Sequence, residues 1–239
     1  SGSVGLVTAP AEADVVFRIE DDRLWFVPKG GALEKTGRER TPSIPLGDVR
    51  DAPSAMRLIA RHAARLAKTR NLVRTAQAIG AKPIAGKLRV EAFLLRDDRE
   101  TPPGARAPDD RRCRPREAQV PPGATPLMAG ALALPEIRHC DQVYFRLTNA
   151  GDKPLDITPL YVDGEGVVSY HGPHTGLRLE PKATPTVLSL NLRTFNPDKG
   201  APEAIGMERL MFIAVEIPER QAVAADFRYL ADPQLTRSA

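Results

Sequence analysis

The stretch QVYFRLTNAGDKPLDITPLYVDGEGVVSY, residues 142–170, decides the fold class. Val143, Phe145 and Leu147 alternate with Tyr144, Arg146 and Thr148, the period of two that places every second side chain on one buried face of a strand. PLDITPLYV and GVVSY follow, each short and bounded by Gly, Pro, Asn or Asp. The same pattern continues outward: KLRVEAFLL (87–95) lies upstream, and GLRLEP, TVLSLNL and RLMFIAVEI lie downstream. In TVLSLNL, Leu188, Leu190 and Leu192 alternate with Ser189, Asn191 and Arg193. Short strands separated by turn signals predict an antiparallel β-sandwich over residues 86–218. Its expected core contains Val143, Phe145, Leu147, Leu188, Leu190, Leu192, Ile213 and Val215. The tail QAVAADFRYLAD is expected to close it as a short helix or an extended arm.

Before these strands the pattern differs. VVFRI (15–19) and RLWFV (23–27) flank the turn-prone pair Asp21-Asp22 and predict a hairpin with Trp25 as its core anchor. A long helix follows, with Asp51 or Ser54 as N-cap and Gly80 just past its end. Its apolar stripe is Met56, Ile59, Ala63, Leu66 and Val73, flanked by Leu58, Leu72 and Ile79. The chain is therefore expected to be mainly β with α. A small hairpin-and-helix unit spans 4–82, and a sandwich domain spans 84–239. Between Glu100 and about Pro135 lies an irregular Pro-rich segment too long for an ordinary connection.

Composition narrows the function. The 239 residues are 42% hydrophobic and 27% charged, enough for one large domain or two small ones. No apolar run approaches the roughly 20 residues that span a bilayer. Ser1-Gly2-Ser3 reads as an added leader, which leaves a signal peptide or a further domain upstream open. The net charge of +4 arises from 34 basic and 30 acidic residues, too mild an excess to imply nucleic-acid binding. RRCRPRE (111–117) is the densest basic run, but no aromatic interleaves it for base stacking. Arg57, Arg61, His62, Arg65 and Lys68 form a basic helix face that reads as the solvated side of a packed helix.

Candidate chemistry gathers at VVSYHGPHTG (167–176). His171 and His174 stand three apart, but Gly172 and Pro173 forbid the helix that would align them. A metal would still need a third ligand, and nothing in the sequence brings His139 near. Neither metal nor cofactor is expected. A cysteine nucleophile would have to be Cys140, or Cys113, with His171 or His174 as base. Asp141 beside Cys140 would raise the thiol pKa, and no Gly-rich turn supplies oxyanion donors. Cys113 and Cys140 also bracket part of the Pro-rich segment. A bond between them would close about 28 residues and remove roughly 3.5 kcal/mol of unfolded-chain entropy. Two unrelated reduced thiols fit the spacing equally well.

HCDQVYFRLTNAGDKPLDITPLYVDGEGVVSYHGP (139–173), followed by LRLEP and GMERLMFIAVE, resembles the domain of unknown function that lies C-terminal to caspase-like peptidase modules in bacteria. The matching features are the turn at Asn149 and Gly151, the strand pair at Leu160–Gly164, and Gly206–Glu208 opening the last hydrophobic strand. RLAKTRNLVRTAQAIG and DFRYLADPQLTR are similar to the regions between and behind such modules. The catalytic pattern is missing. Tyr170-His171-Gly172-Pro173-His174 lacks the Ser-Gly-His order of a caspase-like histidine turn, and Cys140 precedes the histidines instead of following them.

The resemblance implies a non-catalytic binding or regulatory region of a caspase-like cysteine peptidase protein. Its partner would be that peptidase module or another protein, and nucleic acid is not expected. It also implies export to the periplasm or beyond, with a cytoplasmic location as the alternative, and export favours a Cys113–Cys140 disulfide. The competing functions are a cysteine-dependent hydrolase using Cys140 with His171 or His174, and a basic nucleic-acid binder.

Overall fold

The computed structural model describes residues 13–36, 40–48, 51–80, 87–97, 113, 117–127, 136–138, 140–164, 166–173, 176–191, 195–196, 201–202, 207–218 and 224–232. Strands β1 (Val15–Glu20) and β2 (Arg23–Pro28) form the expected hairpin. Asp21 and Asp22 take φ of 53° and 54°, the left-handed pair whose twist suits a two-residue hairpin. β3 (Ser43–Pro45) adds to the other side of β2. Alternation along β2 sends Leu24 and Phe26 to one face, where Ile44, Leu58, Ile59, Ala63 and Leu66 meet them. Trp25 is buried as expected, but by alternation it lies on the opposite face. There its indole donates to Glu20 O at 2.9 Å, and the Arg23 and Arg40 guanidiniums lie 5.8 and 6.0 Å from its ring centroid.

Helix α1 runs Ala52–Gly80. Asp51, not Ser54, caps it, because its Oδ1 accepts the Ser54 N–H at 2.6 Å. The Ser54 hydroxyl and N–H hold the Asp51 carboxyl below its usual range. Leu66 contacts the first sheet, and two turns on, Leu72 reaches a second one. The helix is thus a wall shared by the hairpin and the strands after it. Met56 departs from the expected stripe and is 57% exposed.

The remaining strands are β4 (Leu88–Leu95), β5 (Thr125–Leu127), β6 (Gln142–Asn149), β7 (Leu155–Val162), β8 (Val168–Tyr170), β9 (Leu177–Leu179), β10 (Thr186–Asn191), β11 (Phe195–Asn196), β12 (Ala201–Pro202) and β13 (Arg209–Glu216). They form a sheet ordered β10-β6-β4-β5, a sheet ordered β13-β7-β8 with β9 also on β7, and the small pair β11-β12. Every pairing is antiparallel. The long Pro-rich segment therefore contributes an edge strand, β5, which its composition did not announce.

Side chains of the two larger sheets share one apolar core. Leu147 and Phe145 of β6 and Leu188 of β10 meet Leu155, Ile157, Leu177, Leu179 and Phe212. Phe145 and Phe212 lie edge to face with centroids 5.5 Å apart. Val143, Leu94 and Leu190 extend the contact to Tyr161 and Leu210. Leu192 lies outside the described residues. Ile213 is not in this inter-sheet layer. With Met211 it faces Leu160, Val162, Val168 and helix residue Leu72, and alternation places Val215 on the same side. Strand β13 is apolar on both faces because sheet and helix each cover one. Tyr144 also corrects the simple alternation: it is fully buried on the outer side of its sheet, donating to Gln142 Oε1.

Gly166 explains how closely helix and sheet approach. Its φ is +76°, and a Cβ there would stand 3.1 Å from Leu66 Cδ2. Its carbonyl accepts the buried Thr69 hydroxyl at 2.6 Å. Among the described residues, no helix is long and apolar enough to cross a membrane.

Candidate functional site

Pro159 sits in the middle of β7 and has no N–H to give. Strand interiors tolerate proline only at edges or bulges. β13 pairs along the whole of one side of β7. On the other side the ladder opens: β8 pairs with Leu160–Val162 and β9 pairs with Leu155–Ile157, so that neither pairs with Thr158 or Pro159. The described residues of VVSYHGPHTG thus form an oversized bulge in the edge made by β8 and β9, placed where β7 has no donor. His171 N still donates to Pro159 O at 3.0 Å and Gly176 N to Pro173 O at 3.0 Å. Gly172 is required there, since a Cβ would lie 2.9 Å from Pro159 Cγ.

The arm 224–232 crosses this broken edge. Asp156 Oδ2 accepts Ala225 N–H at 2.8 Å, and Thr158 Oγ1 accepts Phe227 N–H at 3.3 Å. Asp232 closes the far end by donating its N–H to Val168 O at 2.7 Å and accepting Val168 N–H on Oδ2 at 3.0 Å. Lys68 of α1 donates to the same carboxylate at 3.0 Å, and Arg65 lies 4.0 Å away. Asp156 is held by Arg178 through two bonds of 2.7 and 3.0 Å. Burial pushes the Asp156 carboxyl up, but Arg178 and the Ala225 N–H outweigh it and hold the group below its usual range.

Between bulge and arm lies a cleft of about 300 Å³, lined by Ile157, Thr158, Tyr170, Gly176, Ala224–Asp226 and Arg228. Arg228 lies over the Tyr170 ring, 5.5 Å from its centroid, and its Nε donates to Asp226 at 2.6 Å. Tyr170 OH donates to Pro173 O at 2.7 Å, and burial raises its pKa. The described lining offers an aromatic wall, a stacked guanidinium and a carboxylate, with no histidine or cysteine among them. Such a cleft can hold a ligand; it does not pair a nucleophile with a base.

The residues marked by sequence go elsewhere. Cys113 and Cys140 are bonded, with Cα atoms 5.0 Å apart and a sequence separation of 27. Cys140 takes φ of 64°. The adjacent Asp141, buried, accepts Arg96 Nη1 and Arg138 N at 2.8 Å and Asp97 N at 2.9 Å. Asp141 therefore organises the entry to β6 and has no thiol beside it to modulate. His171 Nε2 lies 3.1 Å from Ser189 O on β10, so the ring ties the bulge to the facing sheet. His174 and His139 lie outside the described residues, as do Arg111, Arg112 and Arg114–Arg116. Among the described residues, no group of three or more His, Cys, Asp or Glu could hold a metal ion.

His62 differs from the solvated reading. It stacks on Phe26 with centroids 5.8 Å apart, and burial, with Arg65 and Arg61 adding repulsion, lowers its pKa to about 4. The sequence reading missed the arm's anchors Asp156 and Asp232. A usable signal was present in PLDITPLYV, where a proline inside a strand pattern marks an edge or a bulge.

No family model, curated protein or solved structure matches this chain.

Proposed function

We propose that this chain is a non-catalytic binding or regulatory region of an exported bacterial protein of the caspase-like peptidase type. The observation that carries the reading is the bond between Cys113 and Cys140. A sulfur held in a disulfide is not a thiolate, and the thiolate is the nucleophile in cysteine hydrolysis. The His171 ring turned toward Ser189 O supports the same conclusion. The disulfide also supports export, because such bonds persist in oxidising compartments. The cleft beside Tyr170 and Arg228, roofed by the arm, is the place for a small ligand or a partner side chain.

The test has two steps. The complete reading frame should encode a caspase-like module, and that module, made separately, should be retained by this chain immobilised without reductant. A reading frame without such a module ends the peptidase association. A module that is present but neither retained nor changed in activity ends the binding role.

A further inference from the structure

Strand β1 has a partner on only one side among the described residues. Lys29 N donates to Asp14 O at 2.9 Å, so Asp14 and its alternates Val16, Arg18 and Glu20 turn their backbone groups toward β2. Val15, Phe17 and Ile19 then turn N–H and C=O outward, in the alternating pattern of an antiparallel ladder. An open edge of this kind is a template for an added strand.

Apolar side chains stay exposed on this edge and on α1. Phe17 is 38% exposed, Ile19 72% and Met56 57%, three of the five exposed large apolar side chains among the described residues. Phe17 rests edge to face on Phe26 at 5.3 Å. Met56, Ala63 and Arg70 are spaced by sevens, which is close to two turns, so they share one side of α1. Arg70 Nη1 donates to Asp14 O at 3.0 Å, which turns that side toward β1.

Charge selects the occupant. Helix α1 carries Arg57, Arg61, Arg65, Lys68, Arg70 and Arg74 and no acidic residue in its 29 positions. Arg65 and Lys68 face Asp232 on another side. Arg70 reaches the backbone carbonyl at the start of β1, and Arg74 is exposed one turn further along the helix. At the other end, Glu20 and Asp21 are paired with Lys35. The surface along β1 and α1 is therefore apolar toward Ile19 and cationic toward Val15.

We propose that the open edge of β1 and the exposed surface beside α1 take up an extended segment of a partner protein, apolar at alternate positions and acidic at the end that reaches Arg74. The partner is defined by this chemistry and does not depend on the peptidase reading. Backbone bonds to Val15, Phe17 and Ile19 supply affinity, and the alternate side chains set register against Phe17, Ile19 and Met56.

The probe is a fluorescent peptide of alternating valine and threonine, as long as β1, with aspartates at one end. It should bind with micromolar affinity and slow hydrogen exchange at the Phe17 and Ile19 amides. Ile19→Pro removes one outward N–H without touching a bond to β2 and should weaken binding about tenfold, the factor of one lost hydrogen bond. Ile19→Thr keeps the donor and should bind nearly as wild type. Arg74→Glu should weaken binding about fivefold, and a lysine-ended probe should not bind. Circular dichroism and Trp25 fluorescence check that each variant folds. Failure of the wild-type chain to bind, or equal binding by Ile19→Pro, overturns the proposal. So does a concentration-dependent dimer that Ile19→Pro abolishes, which would assign the edge to a second copy of the chain.

Discussion

Replacing Asp156 by alanine is the sharpest perturbation of the roofed edge. Its carboxylate is 1% exposed and accepts two bonds from Arg178 and one from Ala225 N–H. Removing one partner of a buried ion pair typically costs about 3–5 kcal/mol, because the other charge is left uncompensated. The Arg178 side chain keeps 29% of its surface in water, so the low end applies, about 3 kcal/mol. For a chain of this size that is a fall in Tm of roughly 6–12 °C. Urea melts give the free energy, and hydrogen exchange gives the location: the Ala225 and Phe227 amides should lose protection before the core of β7 does. The Arg178→Met variant combined with Asp156→Ala should cost less than the sum of the single changes, since each removes the same pair. The folded Asp156 pKa is depressed. Its contribution is therefore complete above the unfolded carboxylate pKa and is lost as pH falls through the folded value, a loss that Asp156→Ala should abolish. A cost under about 0.5 kcal/mol, or unchanged exchange at Ala225, would refute the claim that this carboxylate anchors the arm.

Three further outcomes follow. Cys113→Ser with Cys140→Ser should lower stability by about 3.5 kcal/mol in urea melts, the loop-closure value for about 28 residues. The His62 pKa near 4 lies below its ordinary 6.5, so the unfolded state binds more protons between those values; thermal stability should fall as pH drops through that window, and His62→Phe should flatten the curve. Thr69→Val leaves the Gly166 carbonyl without its buried hydroxyl donor and should cost about 1–2 kcal/mol by thermal melt, with faster exchange in the turn between β7 and β8.

Local pattern carried most of the fold. The alternation in QVYFRLTN, the Asp21-Asp22 turn and the capped run after Asp51 each specify an element without long-range help. Where two layers cover one strand, alternation stops being informative: Ile213 faces the helix and Phe212 the other sheet, and both are apolar. Met56 fits the helical stripe by spacing but is 57% exposed, because spacing does not say where the layer that covers the stripe ends. At the site, Gly172 and Pro173 made a break in regular structure after β8 legible. Its roof was not, because the bonds from Asp156, Thr158 and Val168 to the arm join positions more than 60 apart in sequence. The cysteine pair was legible only as a choice between bond and free thiols, since spacing does not fix distance.

The central claim is that this chain is a binding region and not a peptidase, and one assay addresses it most directly. The chain, prepared without reductant, is incubated with caspase-type peptide substrates carrying basic or acidic P1 residues, and its thiols are alkylated in parallel. The account predicts no turnover above a blank and no alkylation of Cys113 or Cys140 until reductant is added. Robust cleavage that Cys140→Ala abolishes would contradict it.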